Sequence, residues 1–95
     1  MYFVSLKFSD NRATAAQFMQ AHNEWLQRGF AEGVFLLSGT LQPKLGGGII
    51  AHNTSLDELR ERVNSDPFVV ERVVAAEIVE LTPSKAERRL EFLLP

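Results

Sequence analysis

Hydrophobic and polar positions alternate through the first eight residues, with Tyr2, Val4, Leu6 and Phe8 on one side and Phe3, Ser5 and Lys7 on the other. A period of two is that of a β-strand, whose successive side chains point to opposite faces. Ser9, Asp10 and Asn11 then supply turn and helix-capping chemistry. From Thr14 to Ala31 the period lengthens. Phe18, Met19, His22, Trp25, Leu26 and Phe30 form the stripe of an amphipathic helix, while Gln17, Gln20, Asn23, Glu24, Gln27 and Arg28 take its wet side. Gly33 is suited to end that helix.

Val34 to Leu41 reads as a second strand, apolar on both faces at its start, which predicts a central position in the sheet. Gln42 to Gly48 holds Pro43 and three glycines, a composition that predicts a loop or hairpin turn. Ile49 to His52 is a short third strand. Ser55-Leu56-Asp57-Glu58 matches a capping box, and Leu56, Leu59 and Val63 mark a second amphipathic helix ending near Asn64-Ser65. Pro67 holds Asp66 extended, just beyond that helix. Phe68 to Arg72 is a further turn or short helix, and Val73 to Leu81 is the fourth strand. The tail from Pro83 carries Lys85-Ala86-Glu87-Arg88-Arg89 and an apolar end, Leu90 to Leu94, with no clear period.

The order β-α-β-β-α-β is the ferredoxin-like α+β plan: a four-stranded antiparallel sheet with two helices on one face. Residues 1–82 would form this domain and residues 83–95 a C-terminal extension. The strands are apolar on both sides, since Phe3 opposes Val4 and Ile78 opposes Val79. A one-sided sheet in water alternates more cleanly. A second copy of the chain over the open face, giving a homodimer, is the expected cover, with the C-terminal segment as the competing one.

Composition narrows the partners. No apolar run exceeds four residues, far short of the roughly 20 a membrane helix needs. No secretory leader is apparent, so the expectation is a cytoplasmic domain. Absence of cysteine removes disulfides, thiol nucleophiles and thiolate metal sites. Ten basic and twelve acidic residues without a basic block disfavour nucleic acid.

Candidate chemistry centres on His22 and Asp66. His22 lies in the apolar stripe of the first helix, where a neighbouring carboxylate can fix its tautomer. A boundary histidine satisfied by one backbone carbonyl is the plainer alternative. Asp66, taken alone, suits a turn. The topology joins them, because antiparallel helices bring the end of the second near the beginning of the first. Ser38 and Thr40 of the second strand should lie beneath the same spot, with Trp25 and Phe68 above it. Such a grouping suits proton transfer. His52 reads as an exposed turn residue, and Lys7 either meets an anionic ligand or extends to solvent. Two histidines without a carboxylate at ligand spacing specify no metal. Gly46-Gly47-Gly48 lacks the context of a phosphate loop, and Ser38 lacks a nucleophile elbow. No cofactor is expected.

His22 with Trp25 and Leu26, Gly29 and Gly33 at the helix end, Leu37-Ser38-Gly39, and Asp66-Pro67-Phe68 together resemble the YciI-like (YCII-related) domain from Met1 to about Leu81. The resemblance implies a dimeric ferredoxin-like fold of the α/β-barrel type. It maps a His–Asp active site onto His22 and Asp66 and places Ser38 beside the pocket. Relatives with an assigned reaction eliminate chloride from chlorinated ring or lactone intermediates, and the related muconolactone isomerase fold shifts protons. The resemblance therefore favours a lyase or isomerase acting on a small molecule. A non-catalytic dimeric binding or accessory module, in which the pair only closes a buried polar site, stands as the alternative.

Overall fold

The computed structural model describes residues 1–95. Four strands form one antiparallel sheet: β1 (Tyr2–Phe8), β2 (Phe35–Leu41), β3 (Gly46–Ala51) and β4 (Val74–Glu80). Their order is β2-β3-β1-β4, with β1 hydrogen-bonded to both β3 and β4. Three helices accompany the sheet: α1 (Ala15–Ala31), α2 (Leu56–Asn64) and the single turn α3 (Pro67–Val70). A 3-10 turn at Arg12–Thr14 leads into α1, and another at Arg88–Leu93 lies in the tail. The fold is ferredoxin-like α+β, as the element order implies.

The alternation of β1 sets the layers. Tyr2, Val4 and Leu6 are buried against the helices, in one core with Trp25, Phe35, Ile49, Leu59, Val63 and Phe68. Phe3 and Lys7 point to the other side and are exposed. Trp25 meets Phe35 edge-on at 5.2 Å, which seats α1 on β2. Gly29 permits the close approach, because a Cβ there would come within 2.1 Å of the Phe35 ring. In α2, Ser55 accepts from the Glu58 N–H at 3.1 Å. Only that half of the capping box forms, since Glu58 turns its carboxylate toward the Thr54 hydroxyl.

Two strand expectations are corrected. Strand β2 is an edge strand, not a central one. Its register shifts between Phe35 and Leu37, so Leu36 is an extra residue in a bulge. Apolar residues appear on both faces there because of that insertion and the apolar open face. The glycines Gly46, Gly47 and Gly48 are not a loop. They are the first half of β3, paired with Lys7, Leu6 and Ser5 on one side and with Leu41, Thr40 and Gly39 on the other. Pairing on both edges supplies the hydrogen bonds that outweigh the low strand preference of glycine.

Candidate functional site

Asp66 ends the run that begins with α2. Its own N–H donates to the Val63 carbonyl, and its side chain caps α3 by accepting from the Phe68 N–H at 3.0 Å. Pro67 at the first helical position is pre-set for that turn. The same oxygen, Oδ1, lies 2.8 Å from His22 Nδ1. The carboxylate is fully buried, and its second oxygen, Oδ2, has no hydrogen-bond partner.

Two further contacts hold the imidazole. Phe68 stacks on it almost parallel, with centroids 4.1 Å apart and planes 5° from each other. Trp25 stands 5.8 Å away at 27°. The Trp25 indole N–H donates to the Arg62 carbonyl at 2.9 Å, near the end of α2. That bond ties the middle of α1 to the segment carrying Asp66. Trp25 is itself buried in the core, so it positions the histidine and does not line open space.

An ionised carboxylate only accepts hydrogen bonds, so Nδ1 carries the proton in the His22–Asp66 contact. The neutral ring then presents the unshared pair of Nε2. Nε2 has no partner within the protein and is not among the buried unpartnered atoms. It therefore reaches open space while the other side of the ring is tied down.

His22 lines a hollow of about 220 Å³ together with Leu6, Phe8, Met19, Thr40 and Phe68 among others. A smaller one of about 150 Å³ adjoins it, sharing Leu6, His22, Gly39 and Gly47 and adding Ser38. The bulge in β2 decides this grouping. Ser38 pairs with Ile49 and Thr40 with Gly47, both on the helix side. Without the inserted residue, strict alternation from Phe35 would turn both hydroxyls away.

Of the sequence-predicted site residues, His22, Phe68, Ser38 and Thr40 border the hollows, with Asp66 directly behind His22. Lys7 does not join them; it follows Leu6 on β1 and projects from the opposite face. His52 lies elsewhere, edge-on to Phe92 of the tail at 5.7 Å. Met19, Asn23, Gly46 and Gly47 also line the space without having been singled out as site residues. Asn23 reads as wet helix surface, and such a position becomes a wall only once a strand bounds the same volume. The signal for Gly47 is a missing side chain opposite Leu6 within the sheet, visible only when the glycines are read as strand. No group of acidic, histidine or cysteine side chains is arranged to hold a metal.

The domain is thus a ferredoxin-like α+β sheet with His22 and Asp66 in contact between its helices, beside an open hollow. The family model for the YCII-related domain matches residues 1–83, and the chain belongs to that family. The fold is similar to that of 5-chloro-2-hydroxyhydroquinone dehydrochlorinase from Burkholderia phenoliruptrix AC1100, solved in complex with 2,5-dihydroxybenzoquinone. That similarity has a TM-score of 0.70 at 18% identity and covers 88% of this chain and 96% of the other. No curated protein sequence matches the chain. No helix is long and apolar enough to cross a membrane.

Proposed function

We propose that the domain is a small-molecule lyase or isomerase in which His22 Nε2 moves a proton on a ring or lactone held in the hollow. The observation that carries this reading is the two-sided state of one imidazole. Nδ1 is tied to buried Asp66 at 2.8 Å, Nε2 has no partner in the protein, and the ring lines the hollow. A tied Nδ1 fixes which nitrogen accepts the proton, and the ion pair formed on protonation is favourable.

In a dehalogenation-type elimination, Nε2 would take the proton from a saturated carbon of a chlorinated lactone, or from a ring hydroxyl of a chlorinated hydroquinone in its keto form. The electrons of the broken bond would form a new C=C or C=O double bond, and chloride would leave the saturated carbon with its bonding pair. The imidazolium would then return its proton to water. Ser38 and Thr40 can donate to a substrate oxygen, and Phe68 offers a flat apolar wall. A cavity of roughly 150 Å³ is known to accept benzene, so the hollow suits one six-membered ring. The similarity in fold to a dehydrochlorinase of the size of this domain supports the same reaction class. No step calls for a metal or cofactor.

One positioned acid–base group contributes about 10²- to 10⁴-fold in rate. His22→Gln should therefore lower turnover of a chlorinated hydroquinone, followed as chloride release, by that factor. Asp66→Asn keeps the shape and removes the charge, and should cost part of it. Turnover unchanged in both variants would remove the assigned roles.

A binding or accessory module is the second reading, and one observation favours it: Asp66 Oδ1 already serves as the cap of α3. On that reading His22→Gln lowers thermal stability and leaves ligand affinity untouched. We also infer a cytoplasmic homodimer formed through the open sheet face, with residues 83–95 as an extension outside the common domain. Phe3, Leu37 and Val79 expose 37%, 56% and 56% of their surface there. Sedimentation of the parent chain as a monomer at micromolar concentration would contradict the dimer.

A further inference from the structure

We propose that Arg62 is the positioning residue of the His22–Asp66 pair. Held to α1 through both its carbonyl and its guanidinium, it fixes where the carboxylate stands against the imidazole. This assignment rests on the reading of His22 as the proton-transfer group and adds the device that sets its geometry.

His22, Trp25, Gly29 and Glu32 recur at three- and four-residue steps, so they share one face of α1, with Glu32 just past its end. Three side-chain bonds cross from that face to the end of α2 and the residue beyond it. They join His22 to Asp66 at 2.8 Å, Trp25 to the Arg62 carbonyl at 2.9 Å and Glu32 to the Arg62 guanidinium at 2.7 Å. Two of the three end on Arg62. Asp66 follows it by about one helical turn, so whatever holds Arg62 also places the carboxylate.

The last four carbonyls of a helix find no partner inside it, and that of Arg62 is among them in α2. Here it is filled by the Trp25 indole, the Ser65 hydroxyl at 2.7 Å and the Ser65 N–H at 3.1 Å. The Asp66 N–H then closes the next turn on the Val63 carbonyl at 3.1 Å. At its other end, the Arg62 guanidinium stands 5.9 Å from the centroid of the Phe35 ring that Trp25 meets edge-on. Its side chain is 22% exposed, against 60% for Arg60 and 86% for Arg89 in the other arginine ion pairs, so salt screens its bond to Glu32 less. Asp66 Oδ1 also caps α3. The carboxylate therefore follows the α2–α3 segment, and Arg62 ties that segment to the helix carrying the imidazole.

The tautomer of the neutral His22 ring, read from its two ¹⁵N NMR signals in the full chain, reports this placement directly. Nδ1 should carry the proton in the parent, because Asp66 accepts it. Arg62→Met and Trp25→Phe should each move the ring toward the Nε2–H form and lower chloride release from a chlorinated hydroquinone about tenfold, within the cost of a small displacement of a positioned group. Glu32→Gln, at an exposed site outside the core, should shift the tautomer in the same direction even if Trp25→Phe fails to fold. Exchanging the charges with Glu32→Arg and Arg62→Glu together should restore the parent tautomer. Val4→Ala, which opens the core on β1 away from these bonds, should lower stability and leave the tautomer unchanged. An unmoved tautomer in Arg62→Met and Glu32→Gln, an equal shift in Val4→Ala, or no recovery on charge exchange would each overturn the assignment. If the parent releases no chloride while the tautomer responds as stated, the proposed reaction fails and the role of Arg62 stands. Turnover with an unmoved tautomer removes the role of Arg62 alone.

Discussion

Gly47 and Gly48 are neighbours in β3, yet the two faces of the sheet treat them oppositely. Gly48 points away from the helices and is covered: a Cβ there would lie 3.2 Å from the Phe3 ring and 3.3 Å from Leu41. Gly47 points toward the helices, and an added Cβ would meet only the Gly39 carbonyl at 3.6 Å. The space left by the second glycine is the floor of the hollow below His22. The same contrast runs through whole faces. Val4, Ile49 and Ala51 expose 1% or less under the helices, whereas Leu37 and Val79 expose 56% on the far side. One face is packed around a deliberate gap, and the other is apolar without a cover from its own chain. Burial thus explains most of the helix side, and the exceptions on each side mark where something else is expected to bind.

The largest test of this contrast is Ile49→Ala. Ile49 is 1% exposed on the packed face, and such truncations cost about 2–5 kcal/mol. Denaturant unfolding should show a loss within that range, and a loss below 1 kcal/mol would mean the helix side is less tightly packed than described. Gly48→Ala is expected to cost about 1 kcal/mol, because the Phe3 ring and Leu41 must yield by a few tenths of an ångström. Gly47→Ala should leave stability within about 0.5 kcal/mol, given the space available, while lowering turnover of a chlorinated hydroquinone, followed as chloride release. Equal losses of stability at the two glycines would erase the distinction between the faces. The smallest expected effect on folding is at Leu37→Asp, within about 0.5 kcal/mol for a surface site. Its effect should appear in sedimentation as lost self-association, and in a melting temperature that no longer rises with protein concentration.

Much of this arrangement was legible in the residues because periodicity reports burial directly. The alternation of Tyr2 to Phe8, the stripe from Phe18 to Phe30 and the Ser55 cap each correspond to an observed element. Antiparallel helices were enough to bring His22 near Asp66, since one helix length fixes where the other must end. The misplaced features share one cause. Glycine carries no hydrophobic signal, so the three glycines read as a turn when pairing on both edges makes them strand. A bulge likewise has no period of its own, which is why β2 read as central and why the facing of Ser38 and Thr40 could not be fixed. The charge of Lys7 suits an anionic ligand, but its place next to Leu6 in a strand already puts it on the other face.

From the amino-acid order alone came the element sequence, the apolar faces and the pairing of an imidazole with a carboxylate, because each depends on local spacing or on the small number of ways such elements pack. Tertiary structure alone decided which imidazole nitrogen is free and which glycine leaves a void. Those features depend on distances between residues far apart in the chain, and no local pattern encodes them.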